Sequence, residues 1–299
     1  MMADRGYASP AAFRRALTDR LRALAKEGKW TLTQLQRQMA YDRLLERLYQ
    51  FDDGWIVKGA TALLARDLGM RATIDVDVYR AQATEIAEAD LRAAASRDIG
   101  DWFRFETGPA RAMGEGQSGV RLPVAAYVGA APWAQFHVDL VGADLRMTGE
   151  PEPVPPLARI VMPDIEQHGY RAYPLPDHLA DKVVATLQRY GPQQLPSTRY
   201  KDLIDLVGII TGASLNARAA LRALTSEADR RRVQLPPVFD VPDRTLWEPG
   251  YSAQARRSLL PAAPTLDDAL AIVRPCLDPL LDHSASGRWE PAKKLWQPQ

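Results

Sequence analysis

The chain has 299 residues, 46% hydrophobic and 25% charged, which is the composition of a globular protein with length for two domains. Its single cysteine, Cys276, excludes a disulfide framework and a cysteine zinc site; no apolar run spans a bilayer and Met1 to Pro10 has no signal-peptide core, so a cytoplasmic protein without a membrane partner is expected. Net charge is +1, but residues 1–50 carry +5, residues 51–181 carry −8 and residues 182–260 carry +5, an acidic middle between basic flanks that permits a polyanionic partner without requiring one.

In chain order, residues 11–50 read as amphipathic helices broken near Gly28, with Leu17, Leu21 and Leu24 at helical spacing. Trp55 to Lys58 reads as a short buried strand. Gly59-Ala60-Thr61 turns into a helix expected to run through Leu68 and end at Gly69. Thr73 to Tyr79 reads as a strand, Glu85 to Ser96 as a helix, and Phe103 to Glu106 as a strand. Ala110 to Ser118 reads as a loop, and Leu122 to Val128 and Gln135 to Val141 as further strands. Pro151 to Pro156 reads as a surface loop at a lobe boundary. Beyond Pro176 the pattern is helical over Asp177–Tyr190, Tyr200–Thr211, Asn216–Arg232 and Thr265–Leu281. The expected fold is α+β: an N-terminal lobe (1–155) with a mixed sheet and flanking helices, then a mainly helical C-terminal lobe (156–299).

The chemistry concentrates in Thr73-Ile74-Asp75-Val76-Asp77-Val78. A strand sends alternate residues to opposite faces, so Ile74, Val76 and Val78 share a buried face and Asp75 and Asp77 share the other. Two like charges so close call for a compensating cation. Asp139, in the alternating run Phe136 to Leu140, is a third carboxylate that converges on the pair if the two strands are neighbours. Such a set suits Mg²⁺ shared with substrate phosphates. Lys58-Gly59-Ala60-Thr61, between a strand and a helix start, has the form of an anion cradle. His137 shares the Asp139 face, which leaves it two readings, a residue lining the cleft or, as the preferred one, a satisfied structural histidine. Arg230-Arg231-Arg232 is the best single candidate for an RNA contact, with a solvated helix end as the alternative.

These residues resemble the DNA polymerase β nucleotidyltransferase superfamily: Gly-x-Thr, a helix, an Arg-x-Thr-x-Asp-x-Asp strand and a later hydrophobic-Asp-hydrophobic strand. Within it, Lys58 to Leu63 and Arg71 to Asp77 are similar to the AbiEii toxin family, which includes the mycobacterial MenT toxins. Leu179 to Ala185, with Lys182, and Arg199 to Leu206, with Asp202 and Asp205, are similar to that family's helical motifs. The likeness covers roughly residues 50–210. It implies transfer of a nucleoside monophosphate from an NTP to the 3′ end of tRNA, which blocks translation, and a cognate antitoxin as partner. It implies Mg²⁺ on Asp75, Asp77 and Asp139, and catalytic roles for these three with Lys182 and Asp202. Nucleotide contacts are implied for Lys58, Gly59, Thr61, Arg71 and Lys182, with Arg71 and also Arg66 the weaker phosphate candidates, and regulatory phosphorylation for Thr73. The alternatives are transfer to a small molecule or protein hydroxyl, or an inactive nucleotide-binding relative.

Overall fold

The computed structural model describes residues 6–113, 119–143 and 145–298. They form two compact units: Met1–Ala65, Thr73–Leu145 and Pro153–Ala172 in the first, and Arg66–Ala72, Arg146–Glu152 and Tyr173–Gln299 in the second. The chain therefore passes between units several times, where the sequence suggested one cut at 155.

In the first unit, α1 (Pro10–Glu27) starts where the Ser9 hydroxyl caps the Ala12 amide and buries Phe13, Leu17 and Leu21 on one stripe. α2 (Leu32–Phe51) opens on a Thr31–Gln34 capping box. It is not simply amphipathic: from Gln38 to Leu48 every residue is buried. The arginines on that stretch are held by Asp101, with Arg43 Nε 2.7 Å from Asp101 Oδ2 and Arg47 Nη2 2.7 Å from Asp101 Oδ1. Buried charge is tolerated because it is paired and hydrogen-bonded.

The remaining elements of this unit are β1 (Trp55–Lys58), α3 (Gly59–Ala65), β2 (Asp75–Arg80), α4 (Thr84–Ala95), β3 (Phe103–Thr107), β4 (Arg111–Ala112), β5 (Val120–Val128), β6 (Ala131–Val141), β7 (Glu152–Val154) and β8 (Tyr170–Ala172). The strands make one mixed sheet in the order β3-β5-β6-β2-β1-β8-β7, with β4 beside β5. β2 and β6 are parallel, and β1 runs antiparallel to β2. The core beneath it joins Val76, Val78, Leu122, Val138 and Leu140 to Met39, Tyr41 and Leu44 of α2.

Four expectations change here. α3 stops at Ala65, because Asp67 adopts a left-handed φ of 58° that a helix cannot continue through. β2 begins at Asp75, so Ile74 precedes the strand and is 56% exposed rather than buried. The proline-dense stretch after Glu150 contains a three-residue strand, β7. The loop expected over 110–118 holds β4 at its start, and its residues 114–118 lie outside the described residues.

The second unit contains α5 (Leu175–Leu187), the β9 (Arg189–Tyr190) and β10 (Leu195–Pro196) pair, α6 (Tyr200–Gly212), β11 (Leu215–Asn216), α7 (Ala217–Arg231), α8 (Arg244–Ala255), α9 (Leu266–Leu281), β12 (Arg288–Glu290) and β13 (Leu295–Gln297). α5 packs on α6 and α7, and α6 on α8 and α9, around Leu179, Val183, Leu206, Ile209, Trp247 and Leu277. The helical reading thus omits a three-stranded sheet, β11-β12-β13. It also omits α8, whose pattern is masked by Pro249 and Gly250 inside the helix. Gly250 is required because any Cβ there would strike the Tyr200 ring.

Candidate active site

Strand pairing puts four charged residues in one crosswise row of the sheet. Lys58 of β1 is opposite Asp77 of β2, Asp77 is opposite Asp139 of β6, and Asp139 is opposite Arg121 of β5. Partners in register project from the same face. The neighbouring row places Asp75 opposite His137. The sequence expectation that Asp139 lies beside the Asp75–Asp77 pair follows from the parallel β2–β6 contact.

Arg121, which sequence reading missed, dominates the local charge balance. Its Nε and Nη2 donate to Asp139 Oδ1 and Oδ2 at 2.7 and 2.6 Å, and Nη2 lies 3.6 Å from Asp75 Oδ2. The hydrogen bonds to Asp139 push the already high pKa of the guanidinium higher, and Asp75 and Asp77 add to this. Arg121 remains 45% exposed while Asp139 is nearly buried, so one partner of this pair can meet a ligand from solvent. A lone arginine in Val120-Arg121-Leu122-Pro123 gives no motif; only the β5–β6 register reveals it.

His137 is also part of the site. Its Nδ1 lies 3.4 Å from Asp75 Oδ1, and the ring is half-exposed rather than packed as a structural histidine. Asp75 Oδ1 is a buried oxygen that accepts no hydrogen bond. A buried, unsatisfied carboxylate oxygen is costly unless a ligand completes it.

The backbone around the pair is held by threonines and a tyrosine. The Thr61 hydroxyl, fully buried in α3, donates to the Asp75 carbonyl at 3.2 Å, and the Thr73 hydroxyl donates to the same carbonyl at 3.0 Å. Thr61 therefore has a partner other than the phosphate expected for it. Thr73 lies in the turn before β2 and not on its face; its Oγ1 also accepts from the Asp75 amide at 3.3 Å. Tyr41 donates its hydroxyl to the Thr73 carbonyl at 3.1 Å, and burial raises the phenol pKa so that it stays a donor. Gly59 has φ of 54°, and a Cβ there would run into the Asp77 carboxylate. The glycine of the expected anion cradle is thus explained by room for Asp77.

The other expected residues belong to the second unit. Lys182, buried on α5, donates to Asp202 Oδ1 at 3.1 Å and Asp205 Oδ2 at 2.7 Å. Arg71 forks onto Asp205 at 3.0 and 2.8 Å, and Arg199 pairs with Asp202. Burial pushes the Asp205 carboxyl up, but Lys182 and Arg71 outweigh it and hold it below the usual range. Burial likewise pulls the Lys182 ammonium down, and the two aspartates outweigh it and raise it. Arg66 is engaged by Glu152 at 2.8 Å and by the Tyr173 carbonyl. Arg71 and Arg66 thus have protein partners in place of the phosphate expected for them.

Among the described residues, no group of three or more His, Cys, Asp or Glu stands together as a metal site. Within the charged row, both Asp139 oxygens are already taken by Arg121. Asp75 and Asp77 nevertheless fit a hard cation, on two grounds. Their donors are carboxylate oxygens on one face, and Asp75 Oδ1 has no hydrogen bond to give up.

The sequence matches a family model described as "Nucleotidyl transferase AbiEii toxin, Type IV TA system" over residues 43–272. A search of curated proteins finds no match. Among solved structures, MenT4, a nucleotidyltransferase toxin from Mycobacterium tuberculosis H37Rv, is similar at a TM-score of 0.51 and 16% identity. That alignment covers 86% of this chain and 99% of the other and shows a shared fold. JHP933 from Helicobacter pylori aligns at a TM-score of 0.47 and 14% identity, covering 83% of this chain and 92% of that one.

Proposed function

The chain belongs to the AbiEii family of nucleotidyltransferase toxins of type IV toxin–antitoxin systems, and from that premise we propose that it transfers a nucleoside monophosphate from an NTP to the 3′ end of tRNA, with release of pyrophosphate, in a Mg²⁺-dependent reaction that blocks translation. A cognate antitoxin is the implied protein partner. The observation that carries the reading is the row Lys58–Asp77–Asp139–Arg121 with Asp75 beside it.

Asp75 and Asp77 would hold the cation. When bound, the ion would neutralise their mutual repulsion and polarise the phosphates of the NTP. Gly59 leaves the Asp77 carboxylate its space, and the Thr61 and Thr73 hydroxyls fix the backbone that carries Asp75. Arg121 neutralises Asp139 in the free protein. Its exposed, planar guanidinium suits a phosphate oxygen equally well, and a triphosphate that draws it away returns Asp139 to the site. Asp139 then serves as the base for the attacking 3′-hydroxyl. Lys58, in register with Asp77, is a second cation for the triphosphate. For Lys182 the nucleotide contact rests on the family resemblance alone; within its own unit Lys182 is held by Asp202 and Asp205. Phosphorylation of Thr73 would put about −1.5 to −2 charge beside Asp75 and Asp77 and remove the hydroxyl donor, which switches the site off.

The test is incubation of the protein with Mg²⁺, labelled NTPs and total tRNA. Wild type labels RNA, and Asp75→Ala reduces labelling by about 10²–10³-fold, the cost of removing one electrostatic stabiliser. Equal labelling by both proteins, or none by wild type, ends the proposal.

A further inference from the structure

Three arginines of the second unit are gathered in one groove. Arg146, Arg218 and Arg222 are exposed, and their guanidinium groups make no hydrogen bond or ion pair among the described residues. All three line one groove of about 890 Å³ formed by α7, the segment before β7 and the segment before β12. Arg218 and Arg222 are four residues apart on α7 and so share a face. Thr225 and Ser286 add hydroxyls to the wall, and Asp229 is the one carboxylate among the groove's lining residues.

The contrast lies on the same helix. Of the basic run Arg230-Arg231-Arg232 singled out by sequence, Arg230 and Arg231 are spent on Glu227 and Asp181, and Arg232 is exposed at the far end of the helix, outside the groove. Phosphate binding at Arg230 or Arg231 would first have to break these ion pairs. The three groove arginines have nothing to break. All three line one concavity, and Arg218 and Arg222 lie in the first two turns of α7, whose N-terminus is electropositive. Separate cations with hydroxyls between them match a chain of phosphodiesters better than a single compact anion.

We propose that the groove of Arg146, Arg218 and Arg222 binds the phosphodiester backbone of the RNA acceptor. The inference rests on the reading of an RNA acceptor given above. The groove holds the RNA by charge and not by base identity, so its contribution falls with salt and is shared by different RNA sequences.

The test is binding of fluorescein-labelled tRNA to the full chain across a salt series, followed by anisotropy. Replacing Arg146, Arg218 and Arg222 together by alanine lowers the log K against log salt slope by about 2–3, as expected for three lost phosphate contacts. The melting temperature stays at the wild-type value, because all three side chains are exposed. Lysine at the same three positions restores most of the slope, since a phosphodiester asks chiefly for charge. Arg256→Ala with Arg257→Ala, exposed arginines outside the groove, keeps the wild-type slope. An alanine triple variant with the wild-type slope, or lysines that fail to restore it, overturns the groove alone. Wild type that binds no tRNA overturns both the groove and the RNA-acceptor reading.

Discussion

The two units each gather acids and bases into one cluster, and the clusters are opposite in kind. On the sheet, Asp75 is a quarter exposed, Arg121 is 45% exposed, and a buried oxygen of Asp75 has no hydrogen bond. On the helices, Lys182, Asp202 and Asp205 are buried, and each carboxylate is shared by two cations. The first cluster is incomplete and open to solvent; the second is nearly closed on itself. Open, unsatisfied charge is what a ligand can complete, whereas a satisfied buried network fixes a conformation. The same residue types therefore carry different expectations in the two places.

The largest expected effect breaks the closed cluster. Asp205→Ala leaves Lys182 and Arg71 facing each other with one carboxylate gone. Unfolding free energy should fall by about 3–5 kcal/mol in denaturant titrations, the range for removing one partner of a buried pair. A loss below about 1 kcal/mol would mean that the cluster is as loosely held as the surface pairs, and the contrast between units would vanish.

A smaller effect comes from His178, one turn before Lys182 on α5. It is buried, and neither ring nitrogen has a hydrogen-bond partner. Burial, reinforced by the Lys182 charge, lowers its pKa well below 6.5. The unfolded chain therefore takes up a proton below about pH 6.5 that the folded chain refuses. Stability from this group is present above that pH and is lost as pH falls, by up to about 1.4 kcal/mol per pH unit. Replacement by leucine removes this acid-side slope from the melting temperature profile. An unchanged slope in His178→Leu would assign the acid sensitivity elsewhere.

The sequence carried the fold wherever periodicity is long and local. α1, α2, α4, α5, α6, α7 and α9 and the strands β1, β3, β5 and β6 were all legible from spacing, within a few residues. The pieces that escaped are short or masked. β7, β8 and the β11-β12-β13 sheet offer two or three residues each, too few for alternation to show, and α8 hides behind Pro249 and Gly250.

For the site, a motif read along one strand found Asp75 and Asp77, and a second strand found Asp139. His137 was legible by alternation as a neighbour of Asp139 on the cleft face, whereas Arg121 gains its role only from cross-strand register, which no local pattern encodes. Thr61, Arg66 and Arg71 were legible as motif residues, but their protein partners were not.

The most direct test of the open cluster is calorimetric titration of Mn²⁺, with a non-hydrolysable NTP present, into wild type and Asp75→Asn. Wild type should bind the metal saturably. Asp75→Asn should lose that binding while melting no lower than wild type in the absence of metal, since the change relieves repulsion with Asp77. Equal metal binding by the two proteins would contradict the assignment of Asp75 and Asp77 as the cation-holding pair.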